Sequence, residues 1–84
     1  MHIENETLVG FRDEHGPALG IVCGRIPRTQ ITLVRHLVSS KGVRKVLLEN
    51  IEILGKSHEG EDHFSLIERH TGAIAMYFIA QQVA

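Results

Sequence analysis

Six basic residues and no acidic ones lie between His15 and Leu48 of this 84-residue chain. They are Arg25, Arg28, Arg35, Lys41, Arg44 and Lys45. The remaining sequence carries all ten acidic residues and the other three basic ones, so the formal net charge of −1 conceals a strong separation of charge. A concentrated positive surface attracts polyanions and anionic ligands, but it can equally pair with the acidic part of another copy.

The spacing of the apolar residues indicates how these charges could hold an anion. Ile31, Val34, Leu37 and Val38 recur at helical spacing, which predicts a helix over about 28–41. Residues 24–29 would then join a strand to the helix N-terminus, where unpaired N–H groups and the helix dipole favour an anion. Arginines add bidentate donors there. The predicted anion-binding residues are Arg25, Arg28, Arg35, Arg44 and Lys45.

Nucleic acid is the first candidate ligand, and a small phosphorylated or carboxylated effector is the second. Aromatic side chains that could stack on unpaired bases are scarce, since the chain has one tyrosine, three phenylalanines and no tryptophan. The sequence pI of about 6.6 also differs from that of a strongly basic nucleic-acid module. A structural or protein-interaction subunit without a ligand, whose basic and acidic portions dock between copies, is therefore the alternative.

A metal-assisted enzyme is the third hypothesis. His58, Asp62 and His63 are its candidate ligands, but they lack the spacing of a zinc or calcium site. The serines have no nucleophile-elbow context, and the glycines form no phosphate-cradling loop. The sequence therefore predicts a binding protein rather than an enzyme, with no cofactor.

Length and composition predict one domain spanning residues 1–84. The chain is 43% apolar and 23% charged, which is typical of globular proteins. No stretch has the length of a membrane span, and the acidic N-terminus lacks a signal-peptide core, so we expect a cytoplasmic protein with no membrane partner.

The predicted fold is α+β, with a mainly antiparallel sheet built from two hairpins and a middle strand and packed by the helix over 28–41. The first hairpin joins Thr7–Arg12 to Ala18–Gly24 through a cluster of turn-forming residues. The middle strand covers about 44–54, although the apolar spacing over 43–54 also fits a helix. The second hairpin begins at His63 and returns through Ala73–Gln81.

Self-association is the final expectation from the sequence. As a strand, Ala73–Ala80 would be apolar on both faces, which is unusual for an exposed strand of a monomer. A chain of this size also buries little core of its own. We therefore predict at least a dimer, with Tyr77 and Ile79 near the contact.

Overall fold

A computed structural model describes residues 3–83, which form five strands followed by two helices. The strands are β1 (Thr7–Asp13), β2 (Gly16–Arg25), β3 (Ile31–His36), β4 (Val43–Leu47) and β5 (Glu52–Lys56), and the helices are α1 (His63–Arg69) and α2 (Thr71–Val83). The strand order is β4-β3-β2-β1-β5, and every neighbouring pair is antiparallel. The predicted α+β class with an antiparallel sheet is confirmed.

The first hairpin is confirmed, with strands slightly longer than predicted. Asp13 aligns with Gly16, so the loop between β1 and β2 has only two residues. The backbone N–H of His15 donates to the Asp13 carboxylate at 2.7 Å, and Gly16 adopts a positive φ of 111°. A side-chain acceptor and a glycine with a left-handed backbone are the features that make such a tight turn possible.

The predicted helix over 28–41 is wrong, because the centre of that segment is β3 and its end is a 3₁₀ turn at Ser39–Lys41. Thr32, Val34 and His36 alternate along the strand and are buried, so the period that controls packing is two rather than 3.6. Strand β3 pairs with β2 on one side and β4 on the other. Hydrogen bonding to strands on both edges therefore outweighs the apolar spacing that suggested a helix. The β-branched residues of this segment also favour a strand.

The predicted strand over 44–54 is strand at both ends but is interrupted in the middle. A 3₁₀ turn at Leu48–Asn50 separates β4 from β5. Strand β4 pairs with β3, whereas β5 pairs with β1 at the other side of the sheet. The turn therefore carries the chain from one end of the strand order to the other.

The predicted second hairpin is wrong, because residues 63–69 and 71–83 form the two helices, with a turn at His70 between them. Asp62 is the N-cap of α1, where its carboxylate accepts a hydrogen bond from the Ser65 N–H at 2.7 Å. The side chains that pack inward include Leu66, Ile74, Tyr77 and Phe78, which recur at helical spacing. No helix among residues 3–83 is long and apolar enough to cross a membrane.

Two apolar clusters lie on opposite faces of the sheet. One contains Val9, Phe11, Ala18, Val22, Val34 and Val46. The other contains Leu8, Ile21, Leu54, Leu66 and Tyr77 and is covered by the helices. Because neighbouring residues of a strand point to opposite faces, β1 contributes Leu8 to one cluster and Val9 to the other. The sheet is buried on both sides near β1 and β2, so its exposed surface lies towards the outer strands, β3 and β4 at one end and β5 at the other.

Candidate anion-binding surface

Arg35 and Lys45 lie on one exposed face of the β3–β4 pair, which we call the basic face. Arg35 aligns with Val43, and Lys45 aligns with Leu33, so all four side chains project to the same side. Arg35 and Lys45 are both exposed, and Val43 and Leu47 on this face are each 46% exposed. Along the strand direction, Arg35 and Lys45 are two residue positions apart, because Arg35 aligns with Val43. Two residues of a strand span roughly 7 Å.

Arg25 and Arg28 belong to a different part of the surface. Arg25 aligns with Thr32, whose side chain projects to the face opposite that of Arg35. Arg28 lies in the loop between β2 and β3, where it has a positive φ of 65°. Without the expected helix, Arg28 and Arg35 share no helical stripe, so the structure does not place Arg25, Arg28 and Arg35 in one patch.

Arg44 is held by an acidic residue of the first hairpin. Its guanidinium donates to both carboxylate oxygens of Glu14, at 3.0 and 3.1 Å. This bidentate contact lowers the pKa of Glu14. Lys41 lies 3.7 Å from the Asp13 carboxylate. We call the six cations between His15 and Leu48 the basic block. Among residues 3–83, its other four members have no carboxylate within 4.0 Å, and these are Arg25, Arg28, Arg35 and Lys45.

The backbone of β4 adds hydrogen-bonding groups beside the basic face. The N–H of His36 donates to the Gly42 carbonyl at 2.9 Å, and the N–H of Leu48 donates to the Gln30 carbonyl at 2.7 Å. Since backbone groups along an antiparallel strand alternate in direction, those of Val43, Lys45 and Leu47 point away from β3. Strand β4 is at the end of the strand order, so this edge pairs with no strand in the described part of the chain.

A cleft of about 600 Å³ separates the end of β4 from β1 and α2. Its lining includes the cations Arg12 and Lys45, but also Glu49 and Glu52. The mixed charge makes the cleft a poor site for a small dianion, because carboxylates facing an anion repel it. Lys45 borders both the cleft and the basic face.

The candidate metal ligands have other roles in the structure. Asp62 caps α1, and the backbone N–H of Ser65 lowers the pKa of its carboxyl group. His63 Nε2 lies 2.9 Å from a carboxylate oxygen of Glu6. His58 contributes its backbone N–H to the Glu61 carboxylate at 2.8 Å. Among the described residues, no three His, Cys, Asp or Glu side chains are placed to hold a metal ion.

The ion pair between Glu61 and Arg69 predicts a pH dependence of stability. Arg69 donates to the two oxygens of Glu61 at 2.7 and 2.9 Å, and this contact, with the His58 N–H, lowers the pKa of Glu61 from 4.5 to about 2. A lowered pKa in the folded state means that the stabilisation is complete above pH 4.5 and is lost as the pH falls through about 2.

Chemical unfolding at several pH values measures this effect. The free energy of unfolding of the unmodified protein should exceed that of Glu61→Gln at neutral pH, and the difference should shrink between pH 4.5 and pH 2. Glu59→Gln is the matched control, because Glu59 is an exposed residue of the same connection. A difference between the unmodified protein and Glu61→Gln that does not change over this range would contradict the assignment.

A buried histidine is the feature that the sequence did not indicate. His36 Nδ1 accepts a hydrogen bond from the Val38 N–H at 2.9 Å, so Nε2 carries the proton and donates to Asp13 at 3.2 Å. Phe11 contacts the ring edge-to-face, with centroids 5.7 Å apart. Both ring nitrogens are thus occupied, and the histidine ties the end of β3 to the first hairpin. The burial of His36 follows the strand alternation of β3, which a helix over 28–41 does not predict.

The two residues predicted at an oligomer contact differ in exposure. Tyr77 is only 3% exposed, and its hydroxyl donates to the Phe11 carbonyl at 2.8 Å, so its burial is complete within one chain. Burial raises the pKa of this phenol. Ile79 is 54% exposed on the other side of the same helix. The described structure therefore leaves Ile79, but not Tyr77, accessible for a contact.

No protein-family model, curated protein or solved structure matches this chain. The geometry of its own side chains is accordingly the basis for a functional proposal.

Proposed function

We propose that this chain is a small homo-oligomeric binding module that captures an anionic ligand, with the backbone of a nucleic acid as the first candidate. The proposal rests on one observation, which is that some cations of the basic block are paired with carboxylates and others are not. Lys41 and Arg44 contact acidic residues of the first hairpin, whereas Arg35 and Lys45 stand exposed on the basic face without a carboxylate within 4.0 Å in the described part of the chain. Their charge is therefore available to a ligand.

The form of the basic face favours an extended polyanion over a small effector. It is an open sheet surface bordered by an edge strand, and the neighbouring cleft contains glutamates as well as cations. Phosphate oxygens are held mainly by Arg and Lys side chains and by backbone N–H groups, and the outward N–H groups of Val43, Lys45 and Leu47 lie beside this face. Such contacts position a backbone without reading its sequence.

Nucleic-acid titration followed by fluorescence anisotropy tests the proposal. Replacing both Arg35 and Lys45 by alanine should weaken binding of single-stranded nucleic acid by about tenfold at moderate salt, because two charge contacts are lost. The plot of log affinity against log salt should also flatten by about 0.7 for each contact removed. Lys56→Ala is the control, since it removes an exposed cation from β5 at the other end of the strand order.

Two comparisons sharpen this experiment. Arg25→Ala should have a smaller effect than the double variant, because Arg25 aligns with the face opposite the basic face. Equal losses from Lys56→Ala and from the double variant would indicate a general charge effect and would contradict a localised site. Absence of salt-dependent binding by the unmodified protein would reject nucleic acid as the ligand.

A protein-interaction subunit without a ligand is the second candidate. It is favoured by large apolar side chains that stay exposed at several places, among them Phe64 at 73% and Met76 at 67%. Leaving such side chains in water forgoes about 1.5–3 kcal/mol each relative to full burial. The two candidates have different requirements. The anion-binding module requires the cations of the basic face, whereas the interaction subunit requires a protein partner but no cation there.

A further inference from the structure

The cleft between the end of β4, β1 and α2 contains unpaired charges of both signs. Its cations are Arg12 and Lys45, and its carboxylates are Glu49 and Glu52. Among residues 3–83, none of these four side chains lies within 4.0 Å of an opposite charge. Opposite charges that border one cavity without pairing leave both signs of charge available to a ligand. A ligand with both charges therefore complements this cleft better than an anion or a cation does.

We propose that this cleft binds a small zwitterion of the α-amino acid class. In the complex, Arg12 and Lys45 face the carboxylate of the ligand, and Glu49 and Glu52 face its ammonium group. The site goes beyond the anion binding proposed above, because it lies in the cleft rather than on the basic face. Only Lys45 borders both.

The register of β1 and β5 sets the distance between two of these charges. Glu52 aligns with Gly10, and Arg12 follows Gly10 by two residues, so Arg12 and Glu52 project from the same face as diagonal neighbours. Diagonal neighbours on a sheet are roughly 7–8 Å apart. A ligand that bridges them needs a charge-assisted hydrogen bond of about 2.8 Å on each side. An ammonium and a carboxylate on the same carbon fit between these two contacts.

The wall beside these charges is tightly packed. A Cβ at Gly10 would lie 2.6 Å from carbons of the Tyr77 ring, so β1 and α2 approach closely here. The Tyr77 hydroxyl donates to the Phe11 carbonyl at 2.8 Å. Burial raises the pKa of this phenol, Glu52 adds to the rise and Arg12 opposes it, so both charges lie close to the ring. The wall thus holds the backbone positions that carry Arg12 and Glu52.

Uncharged groups complete the lining of the cleft. The Arg12 guanidinium donates to the Gln81 amide oxygen at 3.1 Å, which orders the guanidinium without neutralising it. Asn50 adds a second amide. Apolar residues border the same space, and they are Val46, Leu47 and Ile51. The volume of about 600 Å³ is within the range of small-molecule sites. An amino acid with an apolar side chain therefore finds apolar contacts as well as both charges.

Titration of the protein with each of the common L-amino acids, followed by two-dimensional amide NMR, tests the proposal. At least one amino acid with an apolar side chain should shift the amide signals of Gly10, Arg12 and Glu52, with a dissociation constant on the order of 0.1–1 mM. The signals of Arg25 and Arg28 should stay in place, because neither residue borders the cleft. If no amino acid shifts the cleft signals at concentrations on the order of 10 mM, the proposal is overturned.

Analogues that lack one charge test the need for both. The deaminated acid and the decarboxylated amine of the tightest-binding amino acid should each bind about tenfold more weakly than the parent, because each loses a charge-assisted contact. A deaminated acid that binds as tightly as the parent would make the cleft a simple anion site and would reject the zwitterion. Tighter binding of O-phosphoethanolamine than of any amino acid would assign the cleft to phosphorylated amines instead.

Charge-neutral variants assign the two ends of the ligand. Glu52→Gln should weaken binding of the amino acid about tenfold without weakening that of the deaminated acid. Arg12→Gln should weaken binding of the amino acid and of the deaminated acid but not of the amine. Both residues are exposed, and the amide spectrum shows whether each variant is folded. Equal losses for all three ligands would indicate a structural effect and would contradict the assigned roles.

Matched controls separate the cleft from the general charge of the protein and from the basic face. Glu59→Gln and Lys56→Gln remove exposed charges that do not border the cleft, so amino-acid binding should be unchanged in both. Lys45 is left in place because the basic face shares it. Glu52→Gln should therefore keep the nucleic-acid affinity measured by anisotropy, and a failure of amino-acid binding would leave the proposed function to be decided by that separate measurement.

Discussion

Replacement of Tyr77 by alanine is expected to lower the free energy of unfolding by about 3–5 kcal/mol. The side chain is 3% exposed and packs with Leu8, Ile21 and Leu66 between the sheet and the helices. Its hydroxyl also donates to the Phe11 carbonyl at 2.8 Å, which fastens α2 to β1. Removing the ring would leave a cavity in the cluster that holds both helices in place. Urea unfolding followed by circular dichroism measures the loss.

Tyr77→Phe separates the two contributions of this residue. It keeps the ring and removes only the hydrogen bond, so the expected loss is about 1 kcal/mol. If the alanine variant were no less stable than the phenylalanine variant, the ring would contribute nothing to packing. That result would contradict the position of α2 over the sheet.

Gly20→Ala is expected to cost about 2–3 kcal/mol of unfolding free energy, the upper part of the cost of overpacking a dense core. A Cβ at this position would overlap the Val34 side chain, and it would lie 2.8 Å from the Arg35 carbonyl oxygen and 3.0 Å from the Phe11 ring. A clash with backbone cannot be relieved by a change of rotamer. The close approach of β2 and β3 here therefore requires a residue without a side chain.

Gly24→Ala is the matched control for this prediction. Gly24 also lies in β2, but a Cβ there would meet only Leu33, with its nearest atom at an ordinary contact distance of 3.5 Å. The change in strand propensity is the same in both variants, so the difference between their unfolding free energies reports the clash. Equal stability of the two variants would show that β2 and β3 are further apart at Gly20.

Local sequence signals predicted the elements whose contacts are close in the chain. The hairpin of β1 and β2 follows from its turn residues, since the Asp13 carboxylate and the left-handed Gly16 act within four residues. The α+β class and the strand character at both ends of 44–54 follow in the same way from β-branched residues and turns. Charge separation was also visible directly, because it depends only on which residues are present.

Long-range packing determined the secondary structure of the two segments that we predicted wrongly from the sequence. The segment 28–41 fits a helix by its apolar spacing, but β2 and β4 supply partners on both edges of Ile31–His36 and make that part a strand. Ala73–Gln81 fits a strand by its apolar content, but β5 already pairs with β1, and the apolar surface beside them is covered by this segment as part of helix α2. Both outcomes depend on the neighbouring elements, and a short apolar run alone does not distinguish a strand from a helix.

The candidate site likewise combines features that the sequence determines with features that depend on the tertiary structure. The sequence determined that six cations lie between His15 and Leu48 with no acidic residue among them, and that these include Arg25, Arg28, Arg35, Arg44 and Lys45. Only the tertiary structure determined that Glu14 contacts Arg44. It also determined that Arg25 and Arg35 project from opposite faces of the sheet, whereas Arg35 and Lys45 project from the same face. The physical reason is that charge is a property of each residue, whereas a binding surface depends on strand register, and a shift of one residue in register moves every side chain to the other face.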